Sequence, residues 1–136
     1  MKILRLLRIA MAVAGSLALV LVAAGWFLLH YLSPMWRCDV HKFTPALWQD
    51  PKASQYPRFI RGCLVDDLMA HTPIRGRSRA DIVALLGEPP QTGYFKDYDL
   101  VYWLGPERGL MSIDSEWLVM RLDSTGRVAE FRLVTD

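Results

Sequence analysis

Four side chains after position 37 belong to types that bind transition metals: Cys38, His41, Cys63 and His71. Zinc sites bring cysteine and histidine together in short, regular spacings, and the spacing here matches none of them. A histidine near the end of a helix is equally well explained by its favourable interaction with the helix dipole. We therefore expect neither a metal nor any other cofactor.

The carboxylates that lie closest together are Asp66 and Asp67. Adjacent residues on a helix point about 100° apart, so the two side chains cannot share a proton in acid and base catalysis. Ser112 and Ser115 also lack the glycine-flanked turn that presents a nucleophilic serine. We predict no catalytic residue and expect a protein that is not an enzyme.

Three arginines, Arg75, Arg77 and Arg79, lead into a predicted helix N-terminus, where backbone N–H groups favour anions. They form a weak candidate anion site. The glycine-rich phosphate loop G-x-x-x-x-G-K-[ST] is absent, and Asp81 is already placed to accept hydrogen bonds from those N–H groups. A solvated basic turn is the alternative.

Residues 9–32 contain no Lys, Arg, Asp or Glu. At ~1.5 Å per residue, a helix of this length reaches about 36 Å and crosses a hydrocarbon core of about 30 Å. The alternative is a cleaved signal peptide, whose apolar stretch is typically only about 7 to 15 residues. Lys2, Arg5 and Arg8 precede the segment, so the positive-inside rule predicts a cytoplasmic stretch at 1–8 and a transmembrane helix at 9–32. The protein would cross the inner (cytoplasmic) membrane once, with its C-terminal domain periplasmic or extracellular.

Charge argues against nucleic acid as a partner. Three of the 16 basic residues precede the apolar segment, which leaves 13 basic against 14 acidic residues from Arg37 onward. A domain with no positive surplus lacks the electrostatic footprint of nucleic-acid binding. The expected partners are the lipid bilayer, through residues 9–32, and a protein of the cell envelope.

Cys38 and Cys63 both fall in the predicted exported part, where an oxidising compartment permits a disulfide. Two separate thiols remain the alternative, because sequence alone does not show that the two cysteines meet. The residues before Cys38, Pro34 to Arg37, do not form a lipobox, so lipid attachment is not expected.

Residues 33–56 contain several prolines and little periodicity, which is typical of a tether, and 57–136 form the predicted domain. Ile60, Leu64 and Leu68 recur at helical spacing after Pro57, which suits a first helical turn. A second, shorter helix is predicted after Ser78. Ser78 and Asp81 match a capping box, and Gly87 suits the C-terminal end.

After Tyr94 the pattern changes to alternating residues. Strands are predicted at 98–104, 117–123 and 127–134, and Asp123 to Gly126 has the composition of a hairpin turn. Two helices followed by three strands predict an α+β fold with two short helices packed on a three-stranded antiparallel sheet. The segment from Gly105 to Ser115 is the longest predicted loop of the domain.

Residues 74–134 resemble a known family. The features that carry the resemblance are a turn glycine, a capped short helix that ends in Leu-Gly-x-Pro, an aromatic strand and an Asp-to-Gly hairpin. The matching positions are Gly76, Ser78, Val83, Leu86, Gly87, Pro89, Tyr102, Leu104, Leu118, Leu122, Asp123, Gly126 and Val128. They are similar to the SmpA/OmlA, or BamE-like, outer-membrane assembly lipoprotein domain. The resemblance implies two helices on a three-stranded sheet and a scaffold role in the envelope without catalysis.

Two other functions remain open in the sequence. The same fold shape resembles half of the β-lactamase inhibitor protein, which keeps enzyme inhibition as an alternative. A periplasmic ligand- or metal-binding accessory protein is the other.

Aromatic side chains make the strongest candidate partner surface. Successive strand residues face opposite sides, so Tyr102 and Trp103 cannot both point into the core. Exposed aromatic residues often anchor protein interfaces, and shielding by the loop after Leu104 is the alternative. The candidate contact residues are Tyr94, Phe95, Tyr102, Trp103, Glu107, Arg108 and Trp117. Oligomeric state is not predicted.

Overall fold

A single long helix, α1, occupies Lys2–Leu32. The computed structural model describes residues 2–32, 38–108 and 112–136. Within those ranges α1 is the one helix that is long and apolar enough to cross a membrane. It begins seven residues before the predicted span and therefore carries the three basic residues in its first turns. Ser16 is accommodated because its hydroxyl donates to the Ala12 carbonyl at 2.9 Å.

The second unit of the chain begins before the predicted boundary at Pro57. A five-residue helix, α2, occupies Pro45–Gln49, and the Thr44 hydroxyl caps it by accepting from the Leu47 N–H. Trp48 on this helix has no exposed surface. The prediction of a tether at 33–56 is thus wrong for its described part, because burying an indole ties the segment into the core. Residues 33–37 of that prediction lie outside the described residues.

Helix α3 occupies Ile60–His71. It starts three residues later than the sequence predicts, because Phe59 adopts a left-handed conformation with φ of 41° that ends helical geometry on its N-terminal side. Leu64 and Leu68 of the predicted apolar stripe are buried, whereas Ile60 is partly exposed and Val65 is buried in addition.

Helix α4 occupies Arg79–Leu86 and confirms the predicted signals at both ends. The Ser78 hydroxyl accepts from the Asp81 N–H, and the Asp81 carboxylate accepts from the Ser78 N–H and hydroxyl. These bonds from Ser78 lower the pKa of Asp81. Gly87 has φ of 77°, which glycine adopts without strain, and its N–H donates to the Val83 carbonyl at 2.8 Å.

The sheet contains β1 (Leu100–Pro106), β2 (Ser115–Leu122) and β3 (Val128–Thr135) in the order β1-β2-β3, with both pairs antiparallel. A hairpin turn joins β2 and β3 through Asp123, whose carboxylate accepts from two backbone N–H groups of the turn. One residue of β3, Ala129, has no partner in the register, so a bulge interrupts the ladder there. An open three-stranded sheet with short helices agrees with the predicted α+β class.

One face of the sheet packs against the three short helices. Alternate residues of β1 and β2 supply its core contacts, and Ile82 and Leu86 of α4 lie among them. Each fully buried aliphatic side chain contributes about 1.5 to 3 kcal/mol relative to an exposed one. The core comprises Trp48, Leu64, Val65, Leu68, Ile74, Ile82, Leu86, Leu100, Tyr102, Leu104, Leu118, Met120 and Val128.

A candidate interaction surface on the second face of the sheet

The second face of the sheet carries a separate apolar cluster. Strand alternation places Val101 and Trp103 of β1 on this face, where they lie opposite Val119 and Trp117 of β2. No helix covers it. The irregular segment between α4 and β1 lies across it instead and contributes Phe95.

Six aromatic rings continue this cluster in an unbroken series of contacts, which we call the aromatic row: Tyr56, Phe59, Trp103, Trp117, Tyr94 and Phe95. Centroid distances are 6.2 Å from Tyr56 to Phe59, 5.9 Å from Phe59 to Trp103, and 6.4 Å from Trp103 to Trp117. Tyr94 then lies 5.3 Å from Trp117. Aromatic pairs at such separations contribute about 0.5 to 1.5 kcal/mol each beyond their buried area.

Exposure changes along the aromatic row. Phe59 and Trp117 in the middle are buried, whereas Tyr56 is 79% exposed and Tyr94 is 54% exposed. The row therefore forms a supported apolar surface whose two ends are open to solvent. Large exposed aromatic residues that rest on buried ones resemble the anchors found at the centres of protein interfaces.

Backbone geometry holds the row in place. Gly105 of β1 has φ of 138°, and a Cβ there would lie 2.9 Å from the Cβ of Phe59, so only glycine lets Phe59 pack against β1. Phe95 has φ of 51°, and its carbonyl accepts from the Tyr98 N–H at 3.0 Å. This tight turn aims the side chain of Phe95 at Trp117.

Charged side chains border the row beside Tyr98. The guanidinium carbons of Arg121 and Arg132 lie 4.9 Å and 5.5 Å from the Tyr98 ring centroid. The Arg132 Nε donates to the Tyr98 hydroxyl at 2.8 Å, and Glu130 lies 3.5 Å from the same guanidinium. Asp99 stands opposite Arg121 in the continued register of β1 and β2, and its carboxylate accepts from the Leu122 N–H at 2.7 Å, so two arginines and two carboxylates make up this border.

The indole N–H of Trp117 is buried and has no hydrogen-bond partner. An unpaired buried donor costs about 1 to 3 kcal/mol. The second face thus contains both apolar surface and one unused hydrogen-bond donor beneath Tyr94.

No protein-family model, curated protein or solved structure matches this chain. The resemblance to the BamE-like family therefore stays a prediction.

Two of the candidate contact residues have internal roles instead. Tyr102 is fully buried, and its hydroxyl donates to the Gly87 carbonyl at 2.9 Å. That burial raises the pKa of Tyr102. Because β1 turns Tyr102 toward the helices, Trp103 is the residue of this pair on the second face, and the candidacy of Tyr102 as a partner contact is corrected.

Arg108 is also engaged within the domain. Its guanidinium donates twice to the Glu116 carboxylate, at 2.8 Å each, and also contacts Asp66. Glu116 is nearly buried in β2, and the Asp66 contact ties Arg108 to α3. Glu107 lies beside it and donates its backbone N–H to Asp114 at 2.7 Å. Residues 109–111 of the predicted loop lie outside the described residues.

The three candidate anion-binding arginines are each bonded within the chain. Arg75 donates to the Ala129 carbonyl, Arg77 donates to the Pro73 carbonyl at 2.5 Å, and Arg79 donates to the Glu88 carboxylate at 2.8 Å. Three separate partners divide the group, so the structure brings no joint anion pocket together.

The cysteines are joined to each other. The sulfur atoms of Cys38 and Cys63 lie at disulfide distance, 1.93 Å, as the first of the two sequence interpretations predicts.

His71 contacts the Asp67 carboxylate at 2.9 Å, and the Phe43 N–H donates to the same carboxylate at 2.8 Å. The hydrogen bond from the Phe43 N–H is the main cause that lowers the pKa of Asp67, and His71 lowers it further. In the described part of the chain no three His, Cys, Asp or Glu residues are grouped to hold a metal.

Sequence reasoning misses part of this surface: Tyr56, Phe59, Arg121 and Arg132. Alternation along β2 and β3 carries a usable signal for the two arginines, because Arg121 shares a face with Trp117, and Arg132 shares one with Val134. No local signal identifies Tyr56 and Phe59, because Phe59 meets Trp103 and Gly105 far along the sequence, and Tyr56 rests on Phe59.

Proposed function

We propose that this protein is a single-pass inner-membrane protein whose C-terminal α+β domain acts, without catalysis, as a protein-interaction module of the cell envelope. The length and apolar character of α1 support the membrane anchor, and the three basic residues at its start support a cytoplasmic N-terminus. The similarity in motifs to the BamE-like domain supports the scaffold role.

The aromatic row carries the proposal. Trp and Tyr supply large contact areas at a low cost in conformational entropy, and interface hot spots are enriched in them. Tyr56 and Tyr94 are exposed enough to meet a partner, and the buried rings between them keep both in a fixed position.

Photo-crosslinking from the full chain in intact cells tests this function. A photoreactive amino acid at Tyr94, and separately at Tyr56, is expected to attach to the same envelope protein. Ala80, exposed on α4 and outside the row, is the matched control position and should give no such adduct. Adducts to lipid alone, or an equal yield from Ala80, would contradict a protein-binding role for the row.

The topology has a test of its own. A reporter enzyme that is active only outside the cytoplasm, fused after Asp136, is expected to be active in cells. Activity of a fluorescent protein that folds only in the cytoplasm, fused at the same point, would refute the proposed orientation.

A further inference from the structure

The two outer strands of the sheet differ in how well they are covered. In β1, Leu104 is fully buried and Gly105 is packed under Phe59. In β3, every residue after Val128 keeps some exposure, including Phe131 on the core face and Val134 on the second face. Both are edge strands, and β3 is the more exposed of the two.

Only the beginning of that edge is closed. The Gly76 N–H donates to the Val128 carbonyl and the Val128 N–H donates to the Arg77 carbonyl, both at 2.9 Å. Arg75 then donates to the carbonyl of Ala129 at the bulge. Apart from β2, no described segment makes a backbone hydrogen bond to residues 130–135. Six residues of strand, about 20 Å long, are left without a partner on their outer side.

A groove runs beside this open edge on the core face. It has a volume of about 460 Å³ and lies between the end of α3 with the following turn and Phe131 of β3. Met69 and Ile74 form apolar walls, and His71 and Arg75 stand among its lining residues. A strand added to β3 would point every second side chain toward this groove, because side chains alternate between the faces.

The side chains of an added strand that point away from the groove would lie on the second face, beside the charged residues of β3. On the second face, Arg132 lies in β3 itself, at the edge, beside Glu130. Arg121 lies one strand inward, and Asp99 stands opposite it on the side of β1. Opposite charges directly across a strand pair are favourable, and like charges are unfavourable. An acidic residue opposite Arg132 would complete this arrangement.

A second copy of this chain fits the edge poorly. Antiparallel self-pairing centred on Arg132 would oppose Arg132 to itself, and self-pairing centred on Leu133 would oppose Glu130 to Asp136, a pair of like charges. Centring on Phe131 would pair opposite charges, but it would require the start of β3, which Gly76 and Arg77 already occupy.

We propose that residues 130–135 of β3 are a docking site for an extended segment of another protein, in which apolar and acidic residues alternate. The segment adds as a fourth strand, its apolar side chains enter the groove beside Phe131, and an acidic side chain pairs with Arg132. This site shares Arg132 with the border of the aromatic row, but it uses none of the six rings.

The test uses the full chain in detergent micelles and a fluorescently labelled nonapeptide of alternating valine and glutamate. Fluorescence anisotropy is expected to show binding that a peptide of equal composition, with all glutamates at one end, does not show. Arg132→Glu should weaken binding of the glutamate peptide by about 5- to 10-fold, and should strengthen binding of an alternating valine–lysine peptide. Arg121→Glu is the matched control, because it removes the same charge from the same face one strand inward, and should change both affinities by less than about twofold.

Several outcomes would overturn the proposal: equal binding of the two glutamate peptides, equal effects of the two substitutions, or a benzophenone-bearing peptide that attaches outside 130–135 and the groove. A protein dimer lost in Arg132→Glu would make a second copy the occupant and would also overturn it. If Arg132→Glu does not fold, Arg132→Gln replaces it and must weaken binding of the glutamate peptide. Failure of these tests leaves crosslinking from Tyr94 unaffected, so the two proposals fail separately.

Discussion

Replacing Trp48 with alanine should lower the free energy of unfolding by about 3 to 4 kcal/mol. The side chain is fully buried, its ring lies 5.9 Å from Phe43 and 6.3 Å from Tyr102, and the Arg61 guanidinium stands 5.7 Å above it. Burying about 200 Å² at about 25 cal/mol per Å² contributes roughly 5 kcal/mol. The indole N–H has no partner, and this reduces the net gain by about 1 to 2 kcal/mol.

Trp48→Phe separates the two contributions. It keeps a ring in the core and removes the unpaired donor, so it should cost only about 1 to 2 kcal/mol. Lys52→Ala, at an exposed site of the same segment, is the control and should cost less than about 0.5 kcal/mol.

The assay is pulse proteolysis of the full chain in detergent micelles across urea concentrations, since the protease cleaves the unfolded domain. A loss below about 1 kcal/mol in Trp48→Ala would refute the assignment of the 38–56 segment to the folded domain and would restore the tether.

Three further perturbations act on named interactions. Reduction of the Cys38–Cys63 bond should lower the unfolding free energy by about 3.5 kcal/mol, because the closed loop spans 25 residues of sequence separation; urea midpoints with and without a phosphine reductant measure this. Arg108→Ala should cost about 2 kcal/mol by the same proteolysis assay, because Glu116, 10% exposed, loses its bidentate partner. Asp67 has a lowered pKa, so its stabilising effect is complete above its ordinary value of 3.8 and is lost as pH falls through the lower folded value. Asp67→Asn should therefore show a weaker loss of stability in acid than the parent chain, measured as urea midpoint against pH.

Each of these has a result that would contradict it. A double Cys→Ser variant should be insensitive to the reductant, and a parent protein equally insensitive would mean that the bond contributes nothing. Arg121→Ala removes a half-exposed cation from the same sheet, and an equal cost at both arginines would rule out the buried pair as the cause. Superimposable acid profiles for Asp67→Asn and its parent would remove the pKa argument.

Local signals predict the second half of the domain well. The Ser78 and Asp81 cap, the Gly87 stop and the turn before Arg127 depend on neighbours in sequence, and all three are present. Strand positions also follow from alternation, with boundaries shifted by one or two residues. Such features need no knowledge of the distant chain, so the sequence suffices.

The first half of the domain depends on distant contacts, and prediction is weaker there. A helix as short as α2 shows no detectable period, and Trp48 is buried only because Tyr102 and Arg61 meet it from elsewhere in the chain. The disulfide between Cys38 and Cys63 also depends on a contact between residues that are 25 positions apart in sequence. The proline-rich composition of residues 33–56 is typical of a tether and does not indicate these contacts.

The candidate surface was half predictable. Alternation requires that one of Tyr102 and Trp103 leave the core, and both Trp103 and Trp117 do lie on the second face. Which of the two residues leaves the core depends on the face of the sheet against which the helices pack. The sequence does not show that Arg108 is engaged within the domain, because its partners, Glu116 and Asp66, are eight and 42 positions away.

The contact between Trp103 and Trp117 also gives the domain its own optical label. Two indole rings with centroids 6.4 Å apart couple their electronic transitions, and Tyr94 rests 5.3 Å from one of them. A ligand that displaces Tyr94 must therefore alter the near-ultraviolet circular dichroism of the native chain. Binding at this face can be followed in the unmodified protein, without any added dye.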